Sequence, residues 1–408
     1  MEASYKLTKY DTCQNFYQQA RKLITGVFFM WGLSYGLLEV LNKHFQEILH
    51  ISKAQSGLLQ TAYFGAYFLA AFPAAIFIQR AGYKNGILLG LVLYAIGALL
   101  FIPASVVAEF SFFLGALFIL ACGLACLETA ANPYMAQLGD KKDATRRLNL
   151  AQSFCGLGCF IGPLLGGILF FNSKTAIGEN TPVPFVSLQF VYLGLAIVVL
   201  LISVLIAYSA MPEIHESIPS NGKNTPSLLS DRIFVGGVIT QFFYVSAQVG
   251  SGAFFINYVT ENLQTATSQQ GAFLLSLALL LFTLGRFIST WLMGKIAPSR
   301  LLSWYSLFCV VACLVIYIGQ GMASIVALVS IFFFTSLMFP TIFALAIRNL
   351  GASTKKGASI LMMAMLGGAL TPPVMGYIAD NLAVRNSYIV PLICFVVVFI
   401  YGRFFRHS

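Results

Sequence analysis

The chain has 408 residues, of which 58% are hydrophobic and only 9% are Asp, Glu, Lys or Arg. Soluble domains carry about 25% charged residues, so this composition excludes a soluble enzyme or binding module and indicates a polytopic membrane protein. The formal net charge of +10 does not indicate a nucleic-acid partner, because the basic residues lie in short loops between long apolar runs.

Twelve apolar runs are each long enough to cross a lipid bilayer, which takes about 20 residues of helix. The sequence therefore predicts an all-α integral membrane protein with twelve transmembrane helices. The predicted spans are residues 24–48, 56–79, 86–105, 111–138, 147–171, 185–209, 232–258, 268–293, 299–319, 322–347, 357–379 and 387–405.

The Lys and Arg residues are distributed unequally between the two ends of these spans. With the N-terminus inside, nineteen of them fall on the cytoplasmic side and four on the outer side. Cytoplasmic loops of membrane proteins carry an excess of Lys and Arg. We therefore expect a multi-pass protein of the cell (inner) membrane with both termini in the cytoplasm.

The longest polar interruption, residues 211–231, divides the spans six and six and is rich in Pro, Ser, Asn and Gly. This composition is typical of a linker. We expect an N-terminal six-helix bundle at residues 1–210 and a C-terminal bundle at residues 232–408. The fifth span (158–167) and the eleventh (367–376) both place glycines and proline at mid-span, which favours two related halves and the major facilitator fold.

A polar stretch lies deep in the fourth span, where residues 127–134 read LETAANPY. A carboxylate at the depth of Glu128 costs several kcal/mol unless it is neutralised or faces a wet cavity. Pro133 cannot donate a helical hydrogen bond, so the carbonyl of Thr129 is free for another partner. Glu128 is therefore either a substrate or proton site, or a protonated structural carboxyl bonded to a neighbouring helix.

Glu39 is the other acidic residue well inside a span, and it either faces the transport cavity or extends to the outer surface. Sugars require amide or carboxylate partners for their hydroxyls and an aromatic face for the ring. An unpaired buried amide costs about 1–3 kcal/mol, so we expect Gln152 and Gln248 to face a cavity or each other. The candidate sugar ligands at mid-depth are Asn132, Gln152, Gln248, Asn257, Trp31, Tyr35 and Tyr63.

The remaining ionisable residues indicate no enzyme and no cofactor. Arg286, inside the eighth span, is interpreted as a snorkelling or gate-forming residue rather than a ligand. The four histidines, His44, His50, His215 and His407, are assigned to loops or to the C-terminal end, which would exclude a histidine proton relay. The sequence carries no nucleotide-binding loop, so ATP-driven transport is not expected.

Several stretches outside the fourth span complete a recognisable pattern. They are residues 64–68, 73–75, 83–91, 147–154, 244–249, 285–287, 339–343, 349–351 and 371–376. Together with LETAANPY at 127–134 they resemble the fucose–proton symporter family of the major facilitator superfamily. The resemblance covers the second to the eleventh span, and the stretch in the fourth span is its most specific part.

The resemblance implies a symporter that imports a monosaccharide such as fucose, glucose or galactose together with a proton, by alternating access. It places the family's carboxylate of the fourth span on Glu128 and its glutamines on Gln152 and Gln248. The family's aspartate in the first span falls on Gly36. Glu39, three residues further along the same helix face, is expected to take its place in proton coupling.

The change at Gly36 leaves two alternatives open, an uncoupled sugar carrier and a sodium-coupled one. A non-transporting sugar sensor is a third, although the short tails disfavour it. The expected partners are a small-molecule sugar, a proton and the lipid bilayer, without nucleic acid, and the protein is expected to be a monomer.

Overall fold

The computed structural model describes residues 2–139, 144–171, 185–209, 211–212, 231–263, 265–319, 321–348, 350 and 354–404. Within these residues the regular structure is entirely helical. The helices are α1 (Glu2–Leu49), α2 (Lys53–Ser56), α3 (Leu58–Val107), α4 (Phe110–Gln137), α5 (Ala144–Phe170), α6 (Val186–Tyr208), α7 (Arg232–Ala253), α8 (Phe255–Asn262), α9 (Ser268–Met293), α10 (Pro298–Ile318), α11 (Met322–Thr335), α12 (Met338–Ile347), α13 (Thr354–Met363), α14 (Leu366–Asn381), α15 (Val384–Ser387) and α16 (Ile389–Phe404).

The described residues contain eleven helical segments that are long and apolar enough to cross a membrane. One of them, Lys53–Val107, runs for 55 residues, which is more than twice the length of about 20 residues that one crossing requires. Gly82 interrupts the helical backbone of this segment with φ 85° and ψ 167°, a conformation that glycine adopts readily. The segment therefore supplies two spans, and the prediction of twelve transmembrane helices is confirmed.

Three of the predicted spans consist of two helices each, namely α7 with α8, α11 with α12, and α13 with α14. The break between α11 and α12 has a visible cause in the sequence. Pro340 has no N–H to donate to the carbonyl four residues earlier, at Ser336, and α11 ends at Thr335. Proline thus loosens the helix at the point where it breaks.

Contacts divide the chain into two compact units. The first comprises Met1–Tyr35, Leu69–Gly158 and Val183–Ile218, and the second Gly36–Phe68, Cys159–Pro182 and Pro219–Ser408. Helices α1, α3 and α5 each contribute residues to both units. The division into bundles at 1–210 and 232–408 stays a prediction, and most of the predicted linker, residues 213–230, lies outside the described residues.

In the first unit, glycines bring α1 and α5 into backbone contact. A Cβ atom on Gly32 would lie 1.9 Å from the carbonyl oxygen of Cys155, and one on Gly158 would lie 2.3 Å from that of Phe29. Only hydrogen fits at these two positions. The glycines therefore permit a close approach of α1 and α5, which sets where the mid-span side chains of both helices lie.

In the second unit, α14 packs against the beginning of α3. The hydroxyl of Thr61 donates a hydrogen bond to the carbonyl oxygen of Ala369 over 2.5 Å. That carbonyl lacks its helical donor because Pro373 stands four residues later. A proline inside one helix thus provides an acceptor for another helix.

The assignment of His44 to a loop is wrong. His44 lies inside α1, is 2% exposed, and stacks on Phe170 with 4.7 Å between ring centroids. Helix α1 continues through the polar residues 42–44 and 46–47 to Leu49, because each residue added to an existing helix contributes a further backbone hydrogen bond. His50 does follow the end of α1, whereas His215 and His407 lie outside the described residues.

Candidate functional site

Glu128 borders a small cavity in the first unit. The side chain is half-buried on α4, and its Oε2 atom has no hydrogen-bond partner among the described residues. The cavity has a volume of about 10 Å³, room for roughly one water molecule. It is lined by Val27, Phe28, Trp31, Leu127, Glu128 and Ala131.

The chemistry of this cavity suits a proton better than a sugar ring. Apart from the carboxyl of Glu128, its walls are apolar side chains from α1 and α4. A carboxyl group in such surroundings is stable when it is protonated, and it needs water or a partner when it is ionised. The cavity can therefore hold a protonated carboxyl with one water molecule, but it is too small for a hexose.

Asn132 and Gln152 meet beside Glu128. The Nε2 atom of Gln152 donates a hydrogen bond to Oδ1 of Asn132 over 3.2 Å. Asn132 lies four residues after Glu128 on α4, so the two side chains share one helix face. Gln152 thus pairs with Asn132, and the remaining amide groups of the pair can bind hydroxyl groups.

Two predicted aromatic residues lie on the part of α1 that belongs to the first unit. Trp31 lines the Glu128 cavity and packs against Phe28, with ring centroids 6.0 Å apart. Tyr35 follows one helical turn later and is half-buried. The first unit therefore contains five predicted site residues. In it, Trp31 lies at the cavity of Glu128, and Gln152 is hydrogen-bonded to Asn132.

The other four predicted residues belong to the second unit. Glu39 is 1% exposed and lies against Gly252 of α7, where an added Cβ atom would be 2.8 Å from Oε1 of Glu39. Its carboxyl group therefore lies inside the second unit and does not extend to the surface. Gln248 is half-buried on α7.

Tyr63 and Asn257 are both 1% exposed. Tyr63 packs among aromatic rings, 5.2 Å from Phe64 and 5.3 Å from Tyr67 between centroids. Asn257 donates from Nδ2 to Oε1 of Gln46 over 2.5 Å. In this structure neither side chain is open to a ligand, in contrast to the half-buried Gln248.

The comparisons with known proteins agree on the family. The model of the Major Facilitator Superfamily matches residues 24–365. An L-fucose-proton symporter of Escherichia coli is 34% identical over 402 residues, which cover 94% of this chain and 92% of that protein. A putative glucose/galactose transporter of Helicobacter pylori is 37% identical, with 91% of this chain and 93% of that protein covered.

The chain belongs to the fucose–proton symporter family of the Major Facilitator Superfamily. A crystal structure of the superfamily transporter FucP in the outward conformation is similar, with a TM-score of 0.70, 34% identity, and coverage of 95% of this chain and 99% of that chain. A bacterial homolog of the lysosomal transporter Spinster, at 14% identity and a TM-score of 0.76, shows the shared fold alone. The protein is a multi-pass membrane transporter and not an enzyme.

A group of buried amides in the second unit was not predicted from the sequence. Asn42, Gln46 and Gln60 are hydrogen-bonded near Asn257, and Gln241 of α7 is fully buried. A signal for part of the group was present, because Glu39, Asn42 and Gln46 follow one another at helical spacing on one face of α1. The contacts to α3 and α8 could not be predicted, since they depend on tertiary packing.

Arg286 of α9 is half-buried, and its guanidinium lies 4.7 Å from the ring centroid of Phe282. Its Nε atom has no hydrogen-bond partner among the described residues. Over that same part of the chain, no cluster of three or more His, Cys, Asp or Glu side chains could hold a metal ion. The interpretation of Arg286 as a snorkelling or gate-forming residue stays a prediction.

Proposed function

We propose that this transporter imports a monosaccharide of the fucose, glucose or galactose type by proton symport with alternating access. The observation that carries the proposal is the position of Glu128, in a water-sized cavity one helical turn from the Asn132–Gln152 amide pair. A group that can bind a proton thus adjoins groups that can bind hydroxyls. The relatives named as fucose–proton symporters and glucose/galactose transporters support the same substrate class.

The sugar would bind through two kinds of contact. The free amide groups of Asn132 and Gln152 would bind ring hydroxyls, and the indole of Trp31 would cover the apolar face of the ring. Gln248 and Asn257, from the second unit, and the phenols of Tyr35 and Tyr63 are the further proposed contacts. The 10 Å³ cavity must widen before a hexose can enter.

The proton would be carried by Glu128, with Glu39 as the second coupling carboxyl. In a closed, apolar cavity the neutral form of a carboxyl is favoured, and water entry favours the charged form. Glu128 would therefore bind a proton from the outside as the cavity closes, and release it when the cavity opens to the cytoplasm. Glu39 stands three residues after Gly36 and would replace the aspartate that the family carries there.

The charge distribution of the loops supports an orientation with both termini in the cytoplasm. We propose that the protein acts as a monomer in the cell (inner) membrane. Its N-terminal bundle at 1–210 and C-terminal bundle at 232–408 would rock about the sugar, joined by the linker at 211–231.

The proposal is tested by uptake of a panel of labelled sugars into vesicles that contain the purified protein. An inward proton gradient should drive accumulation of at least one hexose above its external concentration, and an uncoupler should abolish the accumulation. Equal uptake with and without the gradient would contradict proton symport.

An uncoupled or sodium-coupled carrier is the second candidate function, because Gly36 replaces the aspartate of the family. The same vesicles distinguish the candidates. Accumulation that requires an inward sodium gradient would favour sodium coupling, and uptake that only equilibrates the sugar would favour an uncoupled carrier.

A further inference from the structure

A continuous chain of amides lies buried near the end of α1, in the second unit. Asn257 donates to Gln46 over 2.5 Å, and Gln46 donates to Asn42 over 2.7 Å and to Ser56 over 2.8 Å. Asn42 in turn donates to Oε1 of Gln60 over 3.2 Å. Buried amides are costly to leave unpaired, so each member depends on its neighbours.

The bond between Asn257 and Gln46 differs from the others because it joins distant parts of the chain. Asn42 and Gln46 belong to α1, Ser56 to α2 and Gln60 to α3, all before the predicted linker. Asn257 belongs to α8, after the linker. The contacts inside the first group hold the amide N–H of Gln46 in place, so that its oxygen faces Asn257.

A second set of bonds joins the same two parts of the chain, and it includes Glu261, one helical turn after Asn257 on α8. The Nζ atom of Lys53 lies 2.5 Å from Oε1 of Glu261. The carboxylate of Asp380 accepts from the backbone N–H groups of Lys53 and Ala54, both over 2.9 Å. The short helix α2 is thereby held by α8 and α14 together.

Small residues allow the same two parts of the chain to pack closely. A Cβ atom on Gly167 of α5 would lie 3.0 Å from Cβ of Ala272 of α9. A Cβ atom on Gly57 would lie 2.7 Å from the carbonyl carbon of Pro372 of α14. Any side chain at Gly57 or Gly167 would have to displace a neighbouring atom, so both contacts depend on the absence of a Cβ atom.

We propose that Gln46, Lys53, Asn257, Glu261 and Asp380 form a latch that holds the outer end of the transport pathway closed. We call these five residues the outer latch. The inference rests on the proposed function, because alternating access requires the two halves to separate at one end of the pathway at a time. A neutral hydrogen bond and a partly exposed ion pair are each weak enough to break and re-form in every cycle.

The latch is tested by the accessibility of a reporter thiol, which requires no knowledge of the sugar. Ser56 is fully buried and contacts Asn42 and Gln46, so Ser56→Cys reports opening in a background without the native cysteines. The rate of labelling by an impermeant maleimide from outside is measured in intact cells. Asn257→Leu or Lys53→Ala should raise this rate by about five- to tenfold, the population shift expected when one such bond is lost.

Asn262→Leu is the matched control for the thiol assay. Asn262 lies on the same helix as Asn257, but its amide is bonded to Ser324, within the second half of the chain. Its loss should leave the labelling rate unchanged. The proposal is overturned if neither Asn257→Leu nor Lys53→Ala accelerates labelling, or if Asn262→Leu accelerates it equally. Lys53 is partly exposed, so Lys53→Ala keeps the test valid if Asn257→Leu does not fold.

A disulfide provides an independent test of the same separation. The pair Gly167→Cys and Ala272→Cys starts from a Cβ–Cβ distance of 3.0 Å, close to the range of about 3.5–4.5 Å in disulfides. Oxidation should lower sugar uptake more than tenfold, and a reductant should restore it. The control pair, Val40→Cys and Gly166→Cys, has a similar 3.1 Å separation inside the first half and should transport normally when oxidised.

Uptake by the oxidised Gly167→Cys/Ala272→Cys protein at the rate of its reduced form would overturn the latch. Failure of the proposed function looks different, since the unaltered protein would then transport no sugar of the panel. In that case the maleimide rates still decide whether the outer latch holds this end closed.

Discussion

At the scale of single residues, Asn132 and Gln152 are two candidate sugar ligands that the structure places together, and their role in a site stays a prediction. Asn132 shares a helix face with Glu128, and a buried amide such as that of Gln152 needs a partner. Their mutual hydrogen bond of 3.2 Å could not be read from the sequence, since it depends on how α4 packs against α5. Glu128 was expected to face either a site or a neighbouring helix, and it borders a cavity.

Gln152→Ala tests the sugar contact of this pair. The change removes the donor to Asn132 and one ligand group, so we expect sugar affinity to fall about tenfold, in keeping with the loss of a hydrogen bond worth roughly 1 kcal/mol or slightly more. Equilibrium binding of labelled sugar to the purified protein measures it. Gln189→Ala is the control and should leave the affinity unchanged, because Gln189 is bonded to Ser105 elsewhere in the first unit. Equal sugar affinity of the Gln152→Ala and unaltered proteins would remove Gln152 from the site.

Glu39→Gln tests the second coupling carboxyl. The amide keeps the size of the side chain against Gly252 but cannot release a proton, so we expect a partial loss of gradient-driven accumulation with sugar binding preserved. The ratio of internal to external sugar at steady state measures the loss. Glu47→Gln, two turns later on α1 and bonded to Ser268, should accumulate normally. If Glu39→Gln and Glu47→Gln behave alike, Glu39 has no part in coupling.

At the scale of helices, hydrophobic length predicted the spans closely but not their internal breaks. Each predicted span corresponds to a helical segment, because an apolar run of this length has only one way to satisfy its backbone in lipid. The breaks after Ala253, Thr335 and Met363 do not alter hydropathy and so were not predicted. Pro340 is a local signal for the break after Thr335. His44 was assigned to a loop because polar residues near the end of a span resemble a loop, whereas α1 continues to Leu49.

The packing of α1 against α5 gives the prediction at this scale. Gly32→Ala would place a Cβ atom 1.9 Å from the carbonyl oxygen of Cys155, so the helices must move apart. We expect the free energy of unfolding to fall by about 1–3 kcal/mol, as in other overpacked cores. Thermal unfolding in detergent measures the change.

Gly26→Ala is the control on the same helix, because its Cβ atom would meet only the terminal carbon of Ile202 at 4.0 Å. It should leave the midpoint of unfolding unchanged or slightly higher, since alanine favours the helix. Equal midpoints for Gly32→Ala and the unaltered protein would show that backbone contact at Gly32 does not determine the packing of α1.

At the scale of the whole molecule, the family and the transporter class follow from the chain, whereas the coupling carboxyl groups stay a proposal. The twelve spans, the stretch at 127–134 and the superfamily match over 24–365 identify the class of protein. The sugar and the coupling ion stay proposals, because transport involves more than one conformation and sequence patterns do not encode the differences between conformations.

The most direct measurement of the central claim, that Glu128 carries the coupled proton, compares two assays on Glu128→Gln. The amide imitates the protonated carboxyl, so we predict that accumulation driven by an inward proton gradient is abolished. Counterflow of labelled sugar at equal pH should continue, because it requires binding and alternation without proton release. Accumulation by Glu128→Gln with the pH dependence of the unaltered protein would contradict the claim.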